Sequence, residues 1–241
     1  MIAAVLPAAG LGSRFKSLPS DQAKQFVLLC GKPVYLWSLE VLAKHPQIDK
    51  IALVVPPETA PDFTSNLKTH IDQVALAKIS VVGGGATRQD SVRHGLESLA
   101  QQDIQPQYVM VHDAARPFLN TQMISDVIRS LTMHGACSLA VSVTDTIKRT
   151  SDGVMKETLD RDELTMVQTP QAARFDWMLA AHRMAVENSF SATDDSSILQ
   201  HAGREVHIVP GTRYNLKITS REDLAICEFL ATRLESGFSK S

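Results

Sequence analysis

Short runs of apolar residues, rich in valine and isoleucine, recur along the chain and predict the strands of a buried sheet. Each run is four to six residues long and shows no strict alternation of apolar and polar positions. Unbroken runs of this length are typical of strands that are covered on both faces, as in a mainly parallel sheet. The six runs are Ile2–Leu6, Ile51–Val55, Ile79–Val82, Tyr108–Val111, Ser138–Val143 and Val206–Val209.

Helical patterns occupy the segments between the predicted strands. Strands that alternate with helices predict a doubly wound α/β fold with right-handed crossovers, in which a ligand lies beyond the carboxyl ends of the strands. We expect four helices: Pro33–Lys44, with Val34, Trp37, Val41 and Leu42 on one face; a helix capped by Thr87, with Val92, Leu96 and Leu99 in its apolar stripe; Thr121–His134; and a last helix that begins after Ser220 and Asp223, which resemble a capping box.

The segment from Thr144 to Arg161 departs from this alternation. It is polar and carries Asp152-Gly153 between two flanks that suit strands. Asp-Gly is a strong signal for a two-residue hairpin turn. We expect residues 144–162 to form a hairpin arm that projects from the domain and completes a dimer. A solvent-exposed hairpin without a partner is the alternative.

Composition narrows the class of protein. The 241 residues suffice for one α/β domain over 1–241, and 44% apolar with 21% charged residues exclude disordered and fibrous classes. A formal net charge of −2 argues against nucleic-acid and membrane-surface partners. The three cysteines form no CxxC pair, so we expect three buried thiols, no zinc site and a reducing, cytoplasmic location. No stretch resembles a signal peptide or a transmembrane span.

The loop after the first predicted strand carries the most informative chemistry. Gly10 and Gly12 lie in a stretch without bulky side chains, so backbone N–H groups can approach phosphate oxygens closely. Arg14 and Lys24 follow, and they supply positive charge where a triphosphate would lie. The chain lacks the P-loop motif, which excludes that class. It also lacks the third glycine of a dinucleotide fingerprint, which leaves an NAD-dependent oxidoreductase weakly supported.

Five separated motifs give the chain a family resemblance. They are Pro7-Ala8-Ala9-Gly10 with Gly12, Arg14, Lys24 and Gln25; Gly83-Gly84-Gly85 with Arg88, Asp90 and Ser91; Val111-His112-Asp113-Ala114-Ala115-Arg116-Pro117; the arm from Asp145 to Arg161 with Thr169-Pro170-Gln171; and Thr193-Asp194-Asp195 with Asn215-Leu216-Lys217-Ile218-Thr219. Along nearly its whole length the chain resembles the 2-C-methyl-D-erythritol 4-phosphate cytidylyltransferases of the non-mevalonate isoprenoid pathway. The resemblance implies a Rossmann-like nucleotidyltransferase fold.

The same resemblance implies a reaction. Methylerythritol phosphate would attack the α-phosphorus of CTP in line, releasing pyrophosphate and leaving 4-diphosphocytidyl-2-C-methyl-D-erythritol. Arg14 and Lys24 would stabilise the charge on the five-coordinate phosphorus, together with Mg²⁺ on the triphosphate. Preorganised cations of this kind are worth roughly 3–4 kcal/mol each.

For the nucleotide, the resemblance implies contacts from two loops and one strand end. The implied residues are Ala8, Ala9, Gly10, Gly12, Gly84, Gly85, Ser91 and Asp113. Asp113 also suits a metal ion or a sugar hydroxyl. Three alternatives stay open: an N-cap role for Asp113, an ordinary strand-to-helix turn for the glycines, and a helix-surface position for Ser91 and Arg88. We expect His112 to be a packing residue and not a base.

For the acceptor, the resemblance implies Asp113, Arg116, Thr146, Arg161, Thr193 and Lys217, with Arg161 and Lys217 positioning the phosphate. In the family the arm reaches into the partner subunit's site, so Thr146 and Arg161 imply a homodimer with shared sites. Two rival interpretations remain. One is a cytidylyltransferase for another polyol phosphate, such as ribitol 5-phosphate, and the other is a non-catalytic nucleotide-binding regulator.

Overall fold

The computed structural model describes residues 1–10 and 26–235 of the 241-residue chain, without the side chains of 234 and 235. Each strand that the apolar runs predict is present within two residues of its expected bounds. The described strands are β1 (Ile2–Pro7), β2 (Leu28–Leu29), β3 (Lys32–Pro33), β4 (Lys50–Val55), β5 (Ile79–Gly83), β6 (Tyr108–Val111), β7 (Ala136–Ser142), β8 (Lys148–Ser151), β9 (Val154–Thr158), β10 (Thr165–Arg174) and β11 (His207–Pro210). The helices are α1 (Val34–Lys44), α2 (Ala60–Leu67), α3 (Gln73–Leu76), α4 (Arg88–Ala100), α5 (Thr121–His134), α6 (Phe175–Glu187), α7 (Asp195–His201) and α8 (Arg221–Glu235), and a 3₁₀ helix covers Arg161–Glu163.

Seven strands of the described chain form one sheet in the order β11-β7-β10-β6-β1-β4-β5. β1 runs parallel to β4 and β6, β4 to β5, and β11 to β7, whereas β10 is antiparallel to both of its neighbours. The predicted mainly parallel sheet is confirmed. The apolar pattern does not predict β10, because Gln168, Thr169 and Pro170 interrupt it, and proline is rare in inner strands. The pairing of β10 with β7 shifts register across these residues.

Alternate residues of the central strands face two separate cores, one on each face of the sheet. Ala4 and Leu6 of β1 lie in a core that α1, α2 and α5 cover, and Ala3 and Val5 lie in a core that α4, α6 and α7 cover. A third cluster packs α8 against β2. The sheet is therefore doubly wound, and the carboxyl ends of its parallel strands share one edge.

Helix starts follow the predicted polar residues. The Thr87 hydroxyl accepts from the Asp90 N–H at 3.0 Å, and the Asp90 carboxylate accepts from the Thr87 N–H at 3.3 Å, which closes a capping box. Ser220 and Asp223 repeat this exchange at the start of α8, at 3.2 and 2.9 Å. The helix predicted over Thr121–His134 is present with those bounds.

Two local expectations are wrong. Pro33 lies one residue before α1 instead of occupying its first position, and the buried face of that helix also includes Tyr35, Leu36 and Leu39. Cys30 is exposed, whereas Cys137 and Cys227 are buried, and none of the three is in a disulfide bond. Cys30 has a positive φ of 50° and lies at the surface, in the tight turn between β2 and β3.

The segment around Asp152-Gly153 is an antiparallel hairpin of β8 and β9. Both turn residues have positive φ, 51° and 75°, as a type I′ turn requires. Every residue of the two strands is exposed, and neither strand pairs with the seven-stranded sheet. Val154 and Met155 are 54% and 73% exposed, so the hairpin has apolar side chains that the described residues leave largely uncovered.

Candidate active site

The first loop and the glycine-rich turn lie against each other at the carboxyl edge of the sheet. A Cβ at Gly84 would collide with the side chain of Ala9, and a Cβ at Gly85 would collide with Asp90. Ala8 N donates to Val54 O at 2.6 Å, so the loop is also tied to β4. Close packing therefore requires glycine at 84 and 85, which an ordinary strand-to-helix turn would not.

Ser91 joins this turn to the start of α4. Its hydroxyl accepts from Gly85 N at 3.2 Å and donates to Thr87 O at 2.9 Å. The residue is 2% exposed. The helix-surface alternative for Ser91 is therefore wrong.

Asp113 lies two residues after the end of β6 and is ion-paired on both carboxylate oxygens. Oδ1 lies 2.8 Å from Arg88 Nε, and Oδ2 lies 2.6 Å from Lys217 Nζ. Burial raises the pKa of the Asp113 carboxyl, but Arg88 and Lys217 outweigh burial and hold that pKa well below its ordinary value. Asn120, and not Asp113, caps the next helix, so the N-cap alternative is wrong.

Arg88 is the first residue of α4 and bridges two carboxylates. While Nε donates to Asp113, Nη2 donates to Asp195 Oδ2 at 2.7 Å. Burial lowers the pKa of the guanidinium, but the two carboxylates outweigh burial and raise it. The helix-surface alternative for Arg88 is wrong as well, because the side chain is a partly buried bridge.

His112 is fully buried and held at both ring nitrogens. Nε2 lies 3.1 Å from Arg116 O, and Nδ1 lies 3.1 Å from the Thr169 hydroxyl. A carbonyl oxygen can only accept, so Nε2 carries the proton and Nδ1 is left as the acceptor of a neutral ring. Burial lowers the pKa of His112 to about 4. The geometry agrees with a packing residue.

Asn215 anchors the segment that carries Lys217. Its side chain is fully buried, and Nδ2 donates to Thr169 O at 2.8 Å. The backbone carbonyl oxygen of Asn215 accepts from Arg116 Nη1 at 2.7 Å. One residue thus fixes two of the predicted cations relative to β10.

These groups border a pocket of about 420 Å³. Arg88, Arg116 and Lys217 bring three positive charges to its wall against the two carboxylates of Asp113 and Asp194. Thr193 and Gln200 bring polar groups from the segment around α7. Guanidinium and ammonium groups are the usual partners of phosphate oxygens. The pocket therefore suits a small, hydroxylated anion.

The structure brings together most of the residues predicted for the acceptor but separates two of them. Asp113, Arg116, Thr193 and Lys217 line the pocket, whereas Thr146 and Arg161 do not. Arg161 instead donates from Nη1 to Thr144 O at 3.0 Å, at the base of the hairpin. The remaining predicted residues, Gly12, Arg14, Lys24 and Gln25, lie outside the described residues.

Comparison with known proteins assigns this arrangement to a family. The family model described as "IspD: 2-C-methyl-D-erythritol 4-phosphate cytidylyltransferase" matches residues 2–233. The chain belongs to this cytidylyltransferase family. The family resemblance in the sequence motifs is thereby confirmed.

Individual relatives agree over nearly their whole length. A 2-C-methyl-D-erythritol 4-phosphate cytidylyltransferase of Pelotomaculum thermopropionicum is 39% identical over 94% of this chain and 92% of its own. One of Bacillus mycoides is 36% identical over 95% and 96%. The crystal structure of 4-diphosphocytidyl-2C-methyl-D-erythritol synthase from Anaerococcus prevotii superposes with a TM-score of 0.81 at 27% identity, over 97% of this chain and 96% of that one.

The part of this family member that the structure describes has no metal cage. No group of three His, Cys, Asp or Glu side chains in residues 1–10 and 26–235 could hold an ion. Both oxygens of Asp113 already accept from cations. A hard cation that bound Asp113 would have to share these oxygens with Arg88 and Lys217, and the predicted metal contact of Asp113 stays a prediction. Within the same residues, no helix has the length and apolar character that crossing a membrane demands.

Three residues of the site are ones that the sequence patterns do not single out. Asp195 and Asn215 lie within quoted motifs, but no spacing rule assigns them a partner. His182 lies on the buried face of α6 among apolar residues, where nothing in the sequence marks it. Arg88 and Asp195, for example, are 107 residues apart along the chain. A contact over that separation cannot be predicted from a local sequence pattern.

Proposed function

We propose that this chain transfers a cytidylyl group from CTP to 2-C-methyl-D-erythritol 4-phosphate and releases pyrophosphate. The observation that carries the proposal is the pocket where Asp113, Arg116, Thr193 and Lys217 converge, next to the glycine-rich turn. Membership of the cytidylyltransferase family supports it over the whole chain.

The nucleotide side of the site uses backbone more than side chains. Ala8, Ala9 and Gly10 follow β1, and Gly84 lies directly against Ala9, while Gly85 packs against Asp90 at the start of α4. Because these side chains are small or absent, a nucleotide can approach the backbone of both loops closely. Ser91 holds the turn in this shape, and the predicted contact from Gly12 belongs to the same loop.

On the acceptor side, Arg116 and Lys217 neutralise the phosphate of the polyol, and Thr193 binds a hydroxyl. The nucleophile is an ionised phosphate oxygen, so the reaction needs positioning and charge stabilisation instead of a general base. A neutral, doubly hydrogen-bonded His112 is consistent with that requirement. Arg14 and Lys24 stabilise the negative charge that develops on the oxygens of the α-phosphate in the transition state.

A Lys24→Ala variant tests the role of that lysine. We expect kcat to fall by about 10²–10³, the effect of removing one preorganised cation, with little change in thermal stability. A variant with a wild-type kcat would remove Lys24 from the mechanism. Lys68→Ala, which replaces an exposed lysine at the end of α2, is the control.

The divalent cation is proposed to arrive with the triphosphate, since the described residues offer it no carboxylate cage. The rate at fixed CTP should then follow the concentration of the Mg²⁺–CTP complex as Mg²⁺ is titrated. A rate that instead follows a tight protein-bound metal would contradict this.

Pyrophosphate release measured with CTP and two acceptors tests the function itself. We expect turnover with 2-C-methyl-D-erythritol 4-phosphate and little with ribitol 5-phosphate. Preference for ribitol 5-phosphate would overturn the acceptor assignment and keep the transfer chemistry. No turnover with either would favour the nucleotide-binding regulator.

The hairpin arm is proposed to complete the acceptor site of a partner subunit in a homodimer. Thr146 and Arg161 do not line the pocket of their own chain, and Val154 and Met155 are exposed apolar residues on the same arm. A second copy would cover these side chains and receive Arg161 near its own Lys217.

Mixing two variants that are impaired in acceptor use, assayed at an acceptor concentration well below KM, tests the shared site. Arg161→Ala and Lys217→Ala subunits, unfolded and refolded together, should regain about a quarter of wild-type activity, because half of the dimers are mixed and one site in each is intact. Each variant refolded alone is the control. No regain, or a monomer in sedimentation, would contradict the proposal.

A further inference from the structure

Five charged or polar side chains form a continuous line across the site. It runs from Lys217 to Asp113 at 2.6 Å, to Arg88 at 2.8 Å, to Asp195 at 2.7 Å and to His182 at 3.1 Å. The line begins beside the acceptor pocket, passes the first residue of α4 and ends inside α6. It therefore joins the glycine-rich turn, which precedes α4, to the helices on the far side of the pocket.

The inner end of the line is costly to bury. Asp195 and His182 are both fully buried, and Asp195 has one partner on each oxygen. Burial raises the pKa of the Asp195 carboxyl, but Arg88 and His182 outweigh it, so the group stays charged. Apolar residues of similar volume often stabilise a fold as well as a buried ion pair does. A role in stability alone therefore gives no reason for this carboxylate.

We propose that Asp195, held by His182, is a positioning residue that fixes Arg88 and, through it, Asp113. This inference rests on the proposed function of the site. A guanidinium group is planar and donates from both ends. With Nε on Asp113 and Nη2 on Asp195, Arg88 cannot rotate about its terminal bonds.

Without Asp195, Arg88 is free to form a two-pronged pair with Asp113, the preferred geometry of an isolated Arg–carboxylate pair. That movement turns the Asp113 carboxylate away from Lys217. The ammonium group then loses the partner that aims it at the pocket. Displacements of about 1 Å in such groups cost up to about 10²-fold in rate.

The test compares two links between α4 and the helices that follow it. Asp195→Asn removes the negative charge from the buried link, so that one of its two oxygens no longer accepts, and leaves the shape of the side chain unchanged. Glu97→Gln cuts an exposed link, the Arg183–Glu97 ion pair at 2.7 Å, and is the matched control. We expect D195N to lower kcat/KM for the acceptor by roughly tenfold to a hundredfold, and E97Q to leave it unchanged.

A double-mutant cycle separates positioning from a structural role. If Asp195 acts through Arg88, adding D195N to an Arg88→Ala enzyme causes no further loss of kcat/KM, because interacting residues are not additive. Effects that multiply would overturn the proposal, as would a D195N enzyme with wild-type kinetics. Thermal unfolding of each variant records the structural effect separately.

A second variant covers the case in which D195N weakens folding. Arg88→Lys retains the charge, but one ammonium group cannot reach Asp113 and Asp195 with the same geometry. We expect a loss of acceptor kcat/KM similar to that of D195N, and wild-type kinetics would overturn the proposal. Turnover of CTP and the acceptor by the wild-type enzyme tests the proposed function. The ratio of the acceptor kcat/KM of each variant to that of the wild type tests the role of Asp195.

Discussion

Two regions of this molecule use the same kinds of charged side chains for different ends. In the site, Arg88 pairs with Asp113 at 2.8 Å with side chains that are 25% and 9% exposed. On the hairpin, Arg149 pairs with Glu157 at 3.0 Å with side chains that are 65% and 60% exposed. The distances are nearly equal, but water screens only the second pair.

The partners are also assembled differently. Arg149 and Glu157 face each other because a two-residue turn sets the register of β8 and β9. Arg88 and Asp113 follow different strands, and Asp195 begins a third element. Exposed pairs of local origin are worth little to stability, whereas breaking a buried pair leaves a charge without a partner. The hairpin pair therefore adds little to this fold, and the site pairs determine its geometry.

The largest expected effect comes from removing Asp113. Asp113→Ala leaves Arg88 and Lys217 without their shared carboxylate, and we expect the free energy of unfolding to fall by about 3–5 kcal/mol, with loss of turnover. Denaturant unfolding measures the change. Asp176→Ala, which breaks an exposed pair with Arg174, is the control and should cost less than about 1 kcal/mol. Equal losses in both variants would erase the contrast between buried and exposed pairs.

The next largest effect is a dependence of stability on pH in the buried region. The pKa of His112 is lowered to about 4 in the fold, against about 6.5 when unfolded. The unfolded chain binds the proton first, so stability is complete above about pH 6.5 and falls by up to about 3 kcal/mol toward pH 4. Below that range the depressed pKa values of Asp113 and Asp195 add a further loss.

Thermal unfolding between pH 7 and pH 4 measures this dependence. His112→Gln removes the titrating group and should flatten the curve in that range, whatever its effect on the midpoint itself. A curve of unchanged slope in the variant would contradict the assignment to His112.

A smaller effect is expected from the hairpin, and it should be kinetic. Arg161→Ala should raise KM for the acceptor by about tenfold, since one charge-assisted hydrogen bond is worth about 1.5 kcal/mol, and should leave KM for CTP nearly unchanged. Steady-state kinetics with each substrate varied in turn measures both constants. Arg149→Ala on the same hairpin is the control. An effect on CTP alone would contradict the placement of the arm at the acceptor.

The smallest effect is expected from the exposed pair itself. Glu157→Gln should change the free energy of unfolding by less than about 0.5 kcal/mol, and added salt should reduce the difference further. Unfolding at low and high ionic strength is the measurement. A loss above about 1 kcal/mol that persists in salt would mean that Arg149 and Glu157 are themselves covered, and not only the apolar side chains of the arm.

Most of the sheet could be predicted from the sequence, because strands buried on both faces must be apolar throughout. β10 could not, since Gln168, Thr169 and Pro170 interrupt its apolar run, and the first two of them line the pocket. Cys30 was expected to be buried because free thiols usually are, but its tight turn lies at the surface. In both β10 and Cys30, the position of the residues in the fold differs from the one that their residue types predict.

The sequence predicts many residues of the candidate site but not the contacts between them. Motifs around Gly84, Asp113 and Lys217 mark the residues of the site, because glycine turns and charged strand ends have local causes. No motif specifies that Asp113 lies between Arg88 and Lys217, or that Asp195 and His182 stand behind them. Those contacts depend on how strands that are distant along the chain order themselves in the sheet.

The sequence by itself determined six strands of the sheet, four of the helices, the hairpin turn and the family, since each depends on periodicity, turn chemistry or short motifs. The tertiary structure alone decided which charges are buried, which cations share Asp113 and which predicted residues stay outside the pocket. The physical reason is that the strength of a charge interaction depends on its surroundings, and only the folded chain creates those surroundings.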